Sequence, residues 1–204
     1  MNLSIFLEEG PYIDFTSPII VKKAKELFEG IPNDSSRTAE KARIAYEYVR
    51  DRIPHSFDIN ATVITAKASD VLKYKTGICH AKANLLAALL RSQGIPTGMC
   101  FQHLTLSNDD SLGYCVHCYN AVYVDEHWIR LDARGNTNGI NARFSLKEPI
   151  LAFPKRKEYD EYDWPGIYAT PHLETMLMLT AATCKQDIID KIPDTLNKVP
   201  DISE

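Results

Sequence analysis

Apolar residues recur at helical spacing along the first hundred positions. Ile20, Ala24, Leu27 and Phe28 share one side of a segment opened by Ser17 and Pro18 and stopped by Gly30 and Pro32, which predicts a helix through Glu29. Ala42, Tyr46, Val49 and Ile53 predict a second helix over 37–52, with Asp34, Ser35 and Ser36 as N-caps. Residues 54–68 carry no period and read as loop. A short helical turn from Ala68 to Lys73 follows. From about Cys79 to Ser92 the apolar positions Ala81, Ala83, Leu85, Leu86, Ala88, Leu89 and Leu90 spread round most of the circumference, as in a buried helix. Gly94 and Pro96 stop it.

Past Pro96 the pattern becomes that of strands. Segments 97–106, 115–124 and 127–133 are rich in Val, Tyr, Ile, Thr and Leu, and the tight link VDEHW predicts an antiparallel hairpin between the last two. A further helix is predicted near 172–184, and KIPDTLNKVPDISE reads as a loose or docked tail. Helices first and an antiparallel sheet second make an α+β arrangement.

A chain of 204 residues that is 45% hydrophobic and 25% charged is expected to form one soluble domain with a sizeable core. A net charge of −4 disfavours nucleic acid or an anionic membrane as the main partner. No apolar run approaches the roughly 18 residues of a membrane span. The first residues, MNLSIFLEEGP, lack a basic leader, so no signal peptide is expected. Five cysteines, an odd and clustered set, favour free thiols in a reducing cytoplasm.

The chemistry sits in TGICHAKANLLAALLRSQGIP, residues 76–96. It places Cys79 at the start of the buried helix, behind Gly77. A helix N-terminus stabilises negative charge, so a thiol there ionises more readily, and the unbonded N–H groups of the first turn can hold an oxyanion. A nucleophilic thiol needs a base, and the base an orienting group. CVHCYNAVYV puts His117 in a strand and HWIRLDARGN puts Asp132 at the end of the next, where adjacent antiparallel strands bring the two side by side and both can face the helix start. Asp132 shares its strand face with Trp128 and Arg130.

The order of a cysteine at a helix start, GIP after that helix, a histidine in a strand and an aspartate closing a W-x-x-x-D strand resembles the transglutaminase-like superfamily. The pieces GICHAKANLLAALLRSQGIP, HCYNAVYVDEHWIRLD and IAYEYVRDRI carry the resemblance over about residues 39–135, and CHAKANLLAALLRSQGIPTG with NAVYV and RLDARGN is similar to a bacterial subgroup of cysteine peptidases and amidases. The resemblance implies a papain-like α+β fold, with Cys79 as nucleophile, His117 as general base and acid, and Asp132 as the orienting carboxylate. The chain departs from the family pattern at Tyr119, where a tryptophan is usual, and in the ARGN that follows Asp132.

Other polar residues are candidates for the substrate side. His80 adjoins the thiol, Gln102 or Tyr74 could donate to the oxyanion, and Tyr119, Arg134 and Asn136 neighbour the other two triad residues. His55 and His103 are further candidates for the cleft, and Gly135 suits a turn. No metal or other cofactor is expected. No HxxxH is present, CVHC sends Cys115 and Cys118 to opposite strand faces, and no run of spaced acids forms a calcium loop. The expected function is hydrolysis of an amide or peptide bond through an acyl-enzyme. Acyl transfer from a thioester or to an amine, a catalytically silent binding module and a structural metal protein are the rivals. Residues 1–204 are expected to be a single domain, with 153–204 as an extension packed on the core.

Overall fold

The computed structural model describes residues 2–32 and 34–196. Among these residues, six α-helices and four strands follow in the order α1 (Pro18–Leu27), α2 (Thr38–Arg52), α3 (Ala68–Tyr74), α4 (Cys79–Arg91), β1 (Thr97–Thr105), β2 (Tyr114–Val124), β3 (His127–Leu131), β4 (Tyr162–Asp163), α5 (Leu173–Ala181) and α6 (Lys185–Lys191). The strands form one antiparallel sheet in the order β3-β2-β1-β4, so the architecture is α+β.

The core is built round α4. Leu85, Leu86, Leu89 and Leu90 are fully buried, each removed from water by packing worth about 1.5–3 kcal/mol. The helix lies between α2 and α3 on one side and the sheet on the other. Met99, Phe101, Val116, Cys118, Val122, Ile129 and Leu131 line the sheet face turned to it. Asn120 on that face donates to the Ala83 carbonyl at 3.1 Å. At the far end of α4, the buried Arg91 guanidinium ties three segments together through the carbonyls of Glu8 (2.7 Å), Thr97 (3.0 and 2.6 Å) and Ala169 (2.6 Å). Gly94 then leaves the helix at φ +71°.

Several sequence expectations are adjusted in ways that have local causes. Asp34 caps a 3-10 turn over Ser35–Arg37 rather than α2 itself. The helix expected near 172–184 ends at Ala181, with Ala182 extended, and a separate helix, α6, follows beyond it. The reason is Asp187, whose carboxylate accepts from the backbone of Thr183 (2.8 Å) and Cys184 (3.2 Å) and starts α6 afresh. In VDEHW, Asp125 and Glu126 both take positive φ, the tight hairpin turn that links β2 to β3. The initial residues form a 3-10 helix, Leu3–Leu7, whose buried Phe6 packs edge-on against Trp128 at 4.8 Å. Of the expected tail, residues 197–204 lie outside the described residues. The part before them docks, with Val116 N–H donating to the Pro193 carbonyl at 2.8 Å and His103 Nδ1 bonding the Asp194 carbonyl at 2.9 Å. No helix among the described residues is long and apolar enough to cross a membrane.

Candidate active site

Cys79 is the first residue of α4, and Ile78 before it offers no side-chain cap, so the N–H groups of the first turn have no side-chain acceptor. Gly77 is required for space rather than for a turn, because its φ is not positive. A Cβ there would come within 3.2 Å of Ala81 Cβ and of Thr65 Oγ1. This close packing, with Ser56 N–H donating to the Gly77 carbonyl at 3.1 Å, holds the entrance to the helix.

The sheet presents the histidine in an indirect way. Gln102 and His117 are direct partners across β1 and β2, so they share a face, together with Cys100 and Tyr119. That face is opposite to the one that packs on α4, so His117 does not look straight at the helix. The thiol reaches it round an open edge. Pairing of β3 with β2 ends at Asn120↔Leu131, which leaves residues 114–119 of β2 without a β3 neighbour. The start of α4 occupies that edge. His80 Nε2 bonds the Val116 carbonyl at 2.7 Å, and the Cys118 N–H is directed to the Cys79 sulfur. Asp132 lies one residue beyond the end of β3, where the alternation carries it to the His117 face.

The histidine Nε2 donates to Asp132 Oδ2 at 2.8 Å, with both side chains almost fully buried, which leaves Nδ1 for the thiol. Asp132 also accepts the Arg134 N–H on Oδ1 (3.0 Å) and the Ala152 N–H on Oδ2 (3.1 Å). These groups set one another's proton affinity. Burial alone would raise the Cys79 thiol, but the His117 imidazole and the Cys118 N–H outweigh it and hold the thiol below its ordinary value. Burial would lower His117, but Asp132 and the Cys79 sulfur together raise it. Burial would raise Asp132, but His117 and the two backbone N–H groups keep it ionised. Elsewhere burial prevails, pushing Cys100 and Cys115 up to about 12 and Cys118 well above its usual range. Cys79 is therefore set apart from these three as the thiol arranged to ionise.

The remaining candidates from the sequence divide. Arg134 and His55 line the same cleft as Cys79 and His117. His80 is buried, stacked on Phe101 at 6.0 Å, and faces the core. Gln102 is buried beside His117 with Oε1 lacking a protein partner, and it does not line the cleft. Tyr119 is fully buried, stacked over His117 at 6.4 Å and bonded through its hydroxyl to Arg130 at 3.0 Å. Tyr74 is 45% exposed on the surface beside Lys73 and lies outside the cleft. Asn136 closes a loop by a reciprocal pair of bonds with the Ala142 backbone at 3.0 and 2.8 Å. His103 is stacked between Tyr114 and Tyr162, on β1 where β2 and β4 flank it.

Three contributors escaped the sequence reading. Phe153 packs edge-on against His117 at 5.1 Å and shields it. Lys82, one turn below the thiol, is fully buried and donates to the carbonyls of Ile53 and, at 2.8 Å, Arg134, so it ties α4 to the turn that carries Asp132. Asp58 anchors Arg134 through two bonds, 2.6 and 2.8 Å. Phe153 and Asp58 lie in irregular segments without a period. Lys82 interrupts an apolar helix, and a charge in an otherwise buried helix was the available signal. Among the described residues no group of three or more His, Cys, Asp and Glu side chains is placed to hold a metal ion.

Compared with known proteins, residues 23–133 match the sequence model of the transglutaminase-like superfamily. No curated protein matches the chain. Among solved structures, a candidate cysteine protease from Cytophaga hutchinsonii is similar at 22% identity and a TM-score of 0.47, over 65% of this chain and 42% of that one. A candidate protease from Parabacteroides distasonis ATCC 8503 is similar at 18% identity and 0.38, over 63% of this chain and 24% of that one. A TGase is similar at 14% identity and 0.38, over 64% and 36%. The chain thus spans less than half the length of each of these three.

Proposed function

Because the chain belongs to the transglutaminase-like superfamily, we propose that it is a cysteine-dependent hydrolase of amide or peptide bonds, with Cys79, His117 and Asp132 as its catalytic residues. The sulfur of Cys79, ionised against the His117 imidazolium, adds to the carbonyl carbon of the substrate. The oxyanion that forms is held by the N–H groups at the start of α4. The imidazolium gives its proton to the leaving nitrogen, the C–N bond breaks, and the acyl group remains on sulfur as a thioester. The neutral imidazole then takes a proton from water, which attacks the thioester and releases the carboxylic acid. Asp132 keeps the ring oriented and supports its charge throughout. An amine in place of water would make the same steps an acyl transfer.

The observation that carries this reading is a thiol at an uncapped helix start facing an imidazole that a buried carboxylate holds at 2.8 Å. Ala152 and Phe153 complete the site from beyond the segment that matches the family, which supports treating the whole chain as one functional domain.

The test is incubation with an activated neutral peptide ester, an acid quench and intact-mass measurement. The expected result is one acyl group on Cys79, free acid as product, and no adduct in Cys79→Ala. Turnover that survives Cys79→Ala refutes the proposal. An added primary amine that captures the acyl group in preference to water moves the assignment to acyl transfer.

A further inference from the structure

The cleft beside Cys79 has a volume of about 590 Å³. Apolar side chains such as Phe57, Ile78, Leu104, Leu106, Ile188 and Ile192 line it together with the neutral Ser107, Asn108 and Asn138. Among the described residues, the charged side chains that line it outside the Cys79–His117 pair are Arg134, Arg156 and Glu161. Each is ion-paired within the protein. Arg134 forks onto Asp58 at 2.6 and 2.8 Å and donates to Thr137 Oγ1 at 2.9 Å. Arg156 grips Glu161 through Nε (3.1 Å) and Nη2 (2.6 Å), and also donates to the Asn108 carbonyl (2.6 Å) and the Thr105 hydroxyl. Glu161 also accepts the backbone N–H groups of Arg156 (2.8 Å) and Thr105 (3.1 Å). His55 accepts the Phe57 N–H on Nδ1 at 3.3 Å, the bond of a neutral ring.

A carboxylate or phosphate brought into such a cleft meets guanidiniums whose charge a carboxylate of the protein already offsets, and an ammonium finds no unshared carboxylate. Either would lose its hydration without gaining an unpaired opposite charge, or would have to break an ion pair. Taking the cysteine-enzyme reading above as premise, we infer that the acyl donor is a peptide segment whose side chain beside the reacting carbonyl is neutral and apolar, because the cleft neutralises its own charges and offers none to a substrate. Donors with an acidic, phosphorylated or basic group at that position are rejected by desolvation rather than by repulsion.

The experiment uses the intact protein and three dipeptide chloromethyl ketones that differ only in Leu, Asp or Lys beside the ketone. Cys79 displaces chloride and forms a C–S bond with each, and the rate is read by peptide mass spectrometry. Iodoacetamide, which has no such side chain, serves as the reference. The expected result is labelling by the Leu reagent at least about tenfold faster than by either charged one, the discrimination an apolar site gives for a mismatched group. Ile192→Asp, which sets an unshared carboxylate in the wall, then shifts the preference toward the Lys reagent. Equal or faster labelling by the Asp or Lys reagent in the wild-type protein overturns the inference, as does an unchanged preference in a folded Ile192→Asp. Sluggish iodoacetamide labelling of Cys79 is a different failure, because it strikes the catalytic reading itself.

Discussion

Replacing Asp132 by Asn preserves the size of a side chain that is 1% exposed and removes its charge. Three donors converge on the native carboxylate, from His117, Arg134 and Ala152. An amide offers one oxygen and one NH₂, so at least one of the donors must face another donor. The electrostatic consequence is larger. Burial pulls the His117 imidazole toward its neutral form, and Asp132 is the first of the groups that oppose this. Removing one member of a buried charged pair costs roughly 3–5 kcal/mol. At 1.36 kcal/mol per pKa unit, that corresponds to a fall of about 2–4 units in His117. The imidazolium then discharges near neutral pH, the thiolate loses its cation, and the Cys79 pKa rises. The midpoint of Cys79 alkylation against pH is therefore expected to move up by about two units, so that labelling at a pH below the wild-type midpoint slows about a hundredfold. Iodoacetamide labelling across the pH range, followed by peptide mass spectrometry with the exposed Cys184 as internal reference, measures it. A folded Asp132→Asn protein with the wild-type midpoint would show that the carboxylate does not support the ion pair.

Lys82→Met withdraws the ammonium from the Ile53 and Arg134 carbonyls, and an unsatisfied buried acceptor costs about 1–3 kcal/mol. Allowing for relief of the buried charge, thermal denaturation should fall by a few degrees, at about 2–4 °C per kcal/mol for a chain of this size; an unchanged or higher Tm contradicts the tie. In Gly98→Ala the new Cβ would lie 2.3 Å from Ile167 Cγ2 and 3.0 Å from Phe6 Cε1, an overpacking worth about 1–3 kcal/mol. Ile167→Ala in the same chain should recover most of the lost Tm, and failure to recover it would place the strain elsewhere.

What the sequence determines by itself is what local physics controls. The apolar rows of α1, α2 and α4, the Gly94 stop, the hairpin at Asp125 and Glu126, and the thiol at the first position of a buried helix all follow from helical or two-residue periods and from the chemistry of helix ends. They place Cys79, His117 and Asp132 on known elements in a known order. What only the tertiary structure decides is how these elements meet. Both the histidine and the aspartate sit on the sheet face turned away from α4. They reach the thiol only because β3 stops at Leu131 and leaves the β2 edge open to the start of the helix. Strand length relative to a neighbour is a property of the assembled sheet and is not written in the alternation of either strand. The same holds for Phe153, Lys82, Asp58 and the Arg156–Glu161 pair. Their partners lie at sequence separations that no period spans, except for Glu161, five residues from Arg156, where an irregular loop makes the contact. Local sequence chose the candidate reacting groups, and long-range packing chose their surroundings, because burial and desolvation are set by whatever the rest of the chain brings to the same place.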